Sequence, residues 1–305
     1  MKISAVTENQ LLKRLSGPGL ILQAGPFITR LYSSIPGLAA GIHGLYSNYP
    51  LIDESPFVDF HVRVNPPKGI RRWIRPQARF RFDNFKPFTP LPIDQAVPIF
   101  EWGLNWCIAN YAHQYLIVHS AVVERNGVSI IFPAPPGSGK STLCAGLVSK
   151  GWRLLSDEMA LLDRKTLQLV PVPRPVSLKN RSIDVIREYA PDMYVGSSTE
   201  GTTKGTIAHM AVPESSIERQ NEAVNPRLVV FPKYTMDAAP ELTLMPKPLA
   251  GIRLIENCFN YHVLGEQGFN MVTDLVSTCD SYEFSYSQLD DALQIFNQLS
   301  EELSS

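Results

Sequence analysis

The residues of this chain best able to do chemistry fall between positions 119 and 158. The segment Ala134-Pro-Pro-Gly-Ser-Gly-Lys-Ser141 follows the pattern G-x-x-x-x-G-K-[ST] at every fixed position but the first, where Ala134 replaces glycine. Such a loop binds phosphate. Gly137 and Gly139 permit backbone conformations that turn N–H groups inward, and the helix expected to follow adds its positive N-terminal end. Lys140 would reach the β- and γ-phosphates, and the Ser141 hydroxyl would ligate Mg²⁺. Pro136, Gly137, Ser138, Gly139, Lys140, Ser141 and Thr142 are therefore the expected nucleotide-holding stretch. Asp157 and Glu158 are adjacent acids at the end of an apolar run. One acid can hold Mg²⁺ while the other takes a proton from an attacking hydroxyl. Ser141, Glu158 and Asp157 are thus the candidate metal ligands, and Asp157 and Lys140 candidate catalytic residues. His119 lies between apolar residues, and on that pattern alone it reads as a core histidine.

The flanking pattern supplies elements to position these groups. Val128–Phe132 is a buried strand entering the loop, and Lys140–Lys150 reads as the helix leaving it, ended by Gly151. Arg153–Leu155 is a short strand that delivers the two acids. Tyr115–Val123 reads as one strand carrying His119, joined to Val128–Phe132 by the hairpin signal Asn126-Gly127. Asp94 to Gln114 is an amphipathic helix with Phe100, Leu104, Cys107, Ile108 and Tyr111 at helical spacing. Met159–Asp163 and Leu167–Val172 form a hairpin around Arg164-Lys165.

Further along, Ile183–Tyr189 is a helix, Gly196–Gly205 a polar loop and Arg227–Phe231 a strand. Helices follow near Leu249–Cys258 and Gln267–Thr278, then a strand at Ser281–Ser285. Ser287 with Asp290 three positions later signals a capping box. Pro56–Val64 alternates at period two, and Arg71–Phe82 reads partly as a strand. The chain is therefore expected to divide into a β-rich region at 1–90 and an α/β domain at 91–305.

Bulk properties narrow the function further. Apolar residues make up 44% of the 305, charged residues 19%, and the net charge is −1, so the chain can build a core. A nucleic-acid partner is not expected, because such binding draws on many cationic contacts. The four cysteines form no CxxC pair, consistent with small apolar packing groups in a reducing, cytoplasmic setting. The most apolar stretch, 96–116, is interrupted by Glu101, Asn105, Asn110, His113 and Gln114. It is too polar to span a membrane.

The run VHSAVVERNGVSIIFPAPPGSGKSTLCAGLVSKGWRLLSDE resembles the core of the HPr kinase/phosphorylase family. The later segments Pro173–Asn180 and Lys204–His209 resemble its HprK-related kinase A branch. The spacing agrees, with His119 21 residues before Lys140 and Asp157 17 after it. The resemblance implies an α/β fold like that of HPr kinase and phosphoenolpyruvate carboxykinase, with a mixed sheet carrying the phosphate loop. It also implies an ATP-dependent kinase using Mg²⁺.

By that resemblance Asp157 accepts the hydroxyl proton and Glu158 sits near the metal, where the family commonly has Asp. His119 would neighbour the catalytic acid, and by the resemblance it joins Asp157 and Lys140 as a candidate catalytic residue. The acceptor would be a Ser of a peptide or small protein, or a small metabolite. Two alternatives remain open: a nucleotide-binding regulator with little turnover, and a phosphorolytic or carboxykinase-like enzyme. Lys179, Arg174, Lys204 and His209 are candidates to stabilise the transferred phosphate, and Asp184 is a weak candidate for a further metal ligand. The loop 196–205 is a candidate lid. Homo-oligomer formation stays open.

Overall fold

A computed structural model describes residues 1–69, 74–135 and 137–304. Helix α1 (Glu8–Ser16) opens on a capping box, with the Thr7 hydroxyl accepting from the Gln10 amide and the Gln10 side chain accepting from the Thr7 amide. Strands β1 (Leu20–Ala24) and β2 (Phe27–Ser33) form an antiparallel hairpin. In β2 every second residue is buried, matching its Phe-x-Thr-x-Leu-x-Ser alternation. Helix α2 (Pro36–Leu45) starts with proline at its first turn, where no amide partner is lost. Strand β3 (Phe60–Asn65) runs parallel to β2, and β4 (Gln77–Phe82) and β5 (Leu91–Pro92) complete a five-stranded sheet in the order β1-β2-β3-β4-β5. The expected strand around 71–82 is thus found as Gln77–Phe82. Arg71 to Trp73 lie outside the described residues.

Helix α3 (Ala96–Tyr111) lies on β3 and β4. Phe100, Leu104, Cys107 and Ile108 are buried as their spacing requires, while Tyr111 is 47% exposed. The contact between helix and sheet is close. A Cβ on Gly103 would sit 1.9 Å from the Phe80 ring, so glycine is the residue that lets α3 approach β4.

The expected single strand at 115–123 is two. Strand β6 (Tyr115–Val118) belongs to one sheet and β7 (Ser120–Arg125) to another. The change of sheet falls at His119, whose amide donates to the Asn257 carbonyl at 2.7 Å instead of to a neighbouring strand. The Asn126-Gly127 turn, with both residues at positive φ, returns the chain into β8 (Val128–Pro133), which is buried along its length.

Helix α4 (Lys140–Ser149) and strand β9 (Arg153–Ser156) follow. Strands β10 (Ala160–Asp163) and β11 (Leu169–Val170) pair as a hairpin, and β10 also pairs with β6. Next come β12 (Val176–Lys179), helix α5 (Arg181–Tyr189), β13 (Thr199–Thr202) and β14 (Gly205–Met210). Much of the stretch expected as an open loop at 196–205 is therefore strand. Thr202 donates its hydroxyl to the Gly205 carbonyl across the turn, and β13 pairs with β14.

The chain finishes with helix α6 (Glu214–Glu218), β15 (Leu228–Tyr234), β16 (Glu241–Leu244), helices α7 (Lys247–Glu256), α8 (Tyr261–Leu264) and α9 (Glu266–Thr278), β17 (Asp280–Tyr286) and helix α10 (Leu289–Ser304). The expected capping box at 287–290 is not formed. Ser287 donates to the Ala238 carbonyl and Asp290 accepts from the Tyr189 hydroxyl.

The central sheet is mixed, in the order β16-β17-β15-β8-β7-β9, with β15 parallel to both β8 and β17. Alternation along β8 serves both faces. Ile130 and Phe132 point toward α4 and α10, where Phe132 meets Phe296 edge-on at 5.3 Å, whereas Ile131 joins Leu254, Met271 and Leu275 of α7 and α9. The sheet is thus covered by helices on both sides, the arrangement that buries near-continuous apolar strands. The molecule is a mixed α/β fold. Among the described residues no helix is long and apolar enough to cross a membrane.

Candidate functional site

The turn between β8 and α4 holds Gly137 and Gly139 at φ 88° and 89°, a region that side chains strongly disfavour. Gly139 has a second constraint. A Cβ there would come within 2.6 Å of the Tyr286 hydroxyl and 2.9 Å of the Tyr234 Cβ. These tyrosines fix the turn from below. The Tyr234 amide donates to the Ser138 carbonyl at 2.9 Å, and the Tyr286 hydroxyl donates to the Gly139 carbonyl at 3.0 Å. The turn is therefore held by the ends of β15 and β17. Pro136 lies outside the described residues. Ser141 and Thr142 sit, partly buried, in the first turn of α4.

Lys140 is only 7% exposed. Its Nζ lies 3.2 Å from His119 Nε2. His119 Nδ1 lies 3.1 Å from the Glu158 carbonyl. Burial, then the charge of Lys140, pushes the imidazole pKa down to about 4, against an upward pull from Glu158. The ring is therefore neutral near pH 7. The contacts then assign its tautomer: Nδ1–H donates to the Glu158 carbonyl, and Nε2 accepts from the Lys140 ammonium. The 3.8 Å approach of Nδ1 to Glu158 Oε2 is consequently a dipolar contact and not an ion pair at that pH. Phe259 closes the other side of the imidazole edge-on at 5.6 Å.

Asp157 follows directly on β9 and is 3% exposed. Its Oδ2 accepts from the Ser177 amide of β12 at 3.0 Å, and its Oδ1 is buried without a hydrogen-bond partner. Burial raises its pKa to about 6, reinforced by the Glu158 charge and opposed by Lys140, the Ser177 amide and Ser141. Glu158 goes the other way. Burial pushes its pKa up, but Lys140, His119, Lys179 and Lys204 together pull it below the ordinary carboxylate range. The two neighbouring acids thus have pKa values driven apart, the pattern by which one carboxylate serves as base while another stays ionised.

The structure brings His119, Lys140, Ser141, Asp157 and Glu158 together, with Lys179 and Lys204 near enough to act on Glu158. Lys204 also stacks 5.0 Å over Trp102. Arg174 is placed differently. Its guanidinium is bound at 2.9 Å to Glu101 inside the core, and Tyr46 donates its hydroxyl to the same carboxylate. It is not free to meet a substrate phosphate. His209 is buried on β14 beside Ser177, with Nε2 unpartnered. Asp184 is exposed on α5. A cavity of about 20 Å³ adjoins Asp157, lined in part by Glu158, Arg174 and Pro175. That is room for at least one water molecule.

Several contributors were not legible in the sequence. The Ser177 amide acts through its backbone, which no side-chain pattern marks. Tyr234, Tyr286 and Phe259 lie about 100 to 150 residues from their contacts.

No family model and no curated protein matches this chain. Among solved structures it is similar to the Hpr(Ser) kinase/phosphatase from Coxiella burnetii, at 12% identity and a TM-score of 0.29, over 61% of this chain and 98% of that one. A likeness of that depth assigns neither a family nor an activity.

Proposed function

We propose that the chain is a phosphotransferase that holds a nucleoside triphosphate, ATP in the first instance, on residues 137–142 and passes its terminal phosphoryl group to an acceptor hydroxyl. The observation that carries this reading is Asp157: a buried carboxylate with one oxygen unpartnered and a pKa raised to about 6, set beside the first turn of a helix that leaves a glycine turn. A base needs a pKa near the working pH and a free acceptor atom, and Asp157 Oδ1 offers both.

In this mechanism the acceptor hydroxyl docks against Asp157 Oδ1 and gives up its proton as its oxygen attacks the terminal phosphorus. Oδ2 stays anchored by the Ser177 amide, which fixes the carboxylate plane. The Lys140 ammonium faces the equatorial oxygens of the group in flight and offsets their charge. His119, neutral and held by the Glu158 carbonyl, positions that ammonium through Nε2. Lys179 and Lys204 add positive potential on the Glu158 side.

The residues present also suit Mg²⁺. Ser141 and Glu158 are hard oxygen donors that could hold it, which leaves Asp157 Oδ1 free for the acceptor proton. Among the described residues no group of three or more His, Cys, Asp or Glu forms a self-sufficient metal cage. Mg²⁺ commonly takes one or two protein carboxylates and completes its shell with phosphates and water. When bound, the ion would neutralise charge on the β- and γ-phosphates. The acceptor is read as a serine, free or in a peptide or small protein, in line with the sequence resemblance.

The experiment is transfer of the labelled γ-phosphate of ATP, with Mg²⁺, to free serine and to a library of serine-containing peptides. Asp157→Asn is the control. Label on an acceptor that vanishes in the control supports the kinase. Tight ATP binding with no transfer to any acceptor would instead make the chain a nucleotide-sensing module.

A further inference from the structure

The N-terminal sheet has one face packed under the helices and one that carries charge. Phe60, Val62, Val64, Ala78, Phe80 and Phe82 are buried on the inner face. The alternation of the strands sends Arg30, Tyr32, His61, Arg63, Arg79 and Arg81 to the other. Register sets them in rows across three strands. Arg30 stands opposite His61, and Tyr32 opposite Arg63, which is itself opposite Arg81. Arg79 lies two residues before Arg81, roughly 7 Å further along β4.

This placement is costly as it stands. Arg63 and Arg81 are like charges on directly opposed residues, which destabilises a sheet. Among the described residues none of the four arginines makes an ion pair with a carboxylate, and the buried Nε atoms of Arg30 and Arg81 have no hydrogen-bond partner. The Arg63 guanidinium lies over the Tyr32 ring, 4.2 Å from its centre.

We propose that this face is the docking surface for an acidic polypeptide segment in extended conformation. Alternate side chains of an extended strand project to one side roughly 7 Å apart, the same spacing as successive rows of the sheet. Carboxylates at alternate positions would therefore meet successive rows, and planar guanidinium groups accept carboxylates two oxygens at a time. A nucleic acid is the less suited polyanion, because its affinity is built from many phosphate contacts and this face offers four arginines. The inference does not depend on the phosphotransferase reading.

The test uses the full chain and two fluorescent peptides, one alternating Glu with Thr and one alternating Gln with Thr. Binding is followed by fluorescence anisotropy at low and moderate salt. The Glu peptide is expected to bind and the Gln peptide to fail. Arg63→Glu/Arg81→Glu should weaken the Glu peptide by about tenfold or more, with the circular dichroism spectrum unchanged. Should that double variant not fold, Arg63→Gln, at an exposed position, serves in its place with an expected loss of a few-fold. Equal binding by the wild type and a folded variant, or no binding by the wild type, would overturn the proposal. So would a single-stranded oligonucleotide that displaces the Glu peptide at lower concentration than unlabelled Glu peptide does.

Discussion

Around Asp157, charges of opposite sign interleave. Lys140 stands between a neutral imidazole and two carboxylates, and Lys179 and Lys204 act on Glu158 from further out. On the outer face of the N-terminal sheet, Arg63 and Arg81 face each other with no carboxylate joined to either among the described residues. The two regions show where a protein can keep unbalanced charge. A buried charge is worth several kcal/mol and must find partners inside the fold. A pair of like charges opposed on the outer face of a sheet costs a few tenths to about 1 kcal/mol, little enough to be retained for a partner that arrives later.

The sharpest way to break that comparison is Asp157→Asn. Phosphate transfer is expected to fall by about 10² to 10⁴-fold if Asp157 is the base. In the wild type the acid limb of kcat/KM should rise with pH through about 6, where Asp157 loses its proton. The same substitution should stabilise the protein above that pH. The folded pKa of Asp157 lies above its unfolded value, so the folded state binds the proton more tightly. The stability this provides is complete at low pH and lost as pH rises through 6. At pH 7.5 the uncharged amide of the Asp157→Asn variant would therefore be better tolerated than the charged acid by about 1–3 kcal/mol. Thermal unfolding of both proteins at pH 5 and 7.5 checks the sign. An advantage that did not shrink at the lower pH would mean that the burial of the charge is not its cause.

Arg174 extends the comparison to a buried pair of opposite charges. Arg174→Met should cost about 3–5 kcal/mol in urea unfolding, because Glu101 would be left charged in the core. Arg174→Met/Glu101→Gln should recover most of that loss. If single and double variants unfold alike, the pair is not coupled.

The smallest effect is expected at the open face. Arg81→Thr should raise stability by about 0.2–1 kcal/mol by removing the opposed charge, seen as a rise of about 1–3 °C in Tm. A fall in Tm would mean that the packing of the arginine stem outweighs the repulsion of its head.

Local signals carried much of this architecture. The Asn126-Gly127 turn, the glycine turn into α4 and the buried strand before it are each specified within a dozen residues, and each appears where its pattern places it. Legibility failed where tertiary contacts decide. Nothing in Ile117-Val-His-Ser-Ala121 indicates that the chain changes sheets at His119, since the amide that breaks the strand bonds to Asn257. The polar run at 196–205 reads as open loop because strand pairing with β14 depends on a partner and not on composition. Helix α2 was hidden by its glycines and proline, whereas α1 did carry a signal, the capping box of Thr7 and Gln10 ahead of Leu11 and Leu15. At the site, the type and spacing of the charged groups were visible in the sequence. The sequestration of Arg174 by Glu101 was not, because the two are 73 residues apart.

The hydroxyl that holds the Gly139 carbonyl belongs to a residue 147 positions later. At roughly 5–20 residues added per second, a ribosome needs on the order of 7–30 s to travel from Gly139 to Tyr286. Throughout that interval α4 and its turn exist without their support from β17. A nascent chain stalled before residue 286 would therefore carry the side chains of the proposed site and lack the β17 half of the support for its turn, so under the proposed phosphotransferase reading phosphate binding should appear abruptly late in synthesis and not build up gradually as the chain lengthens.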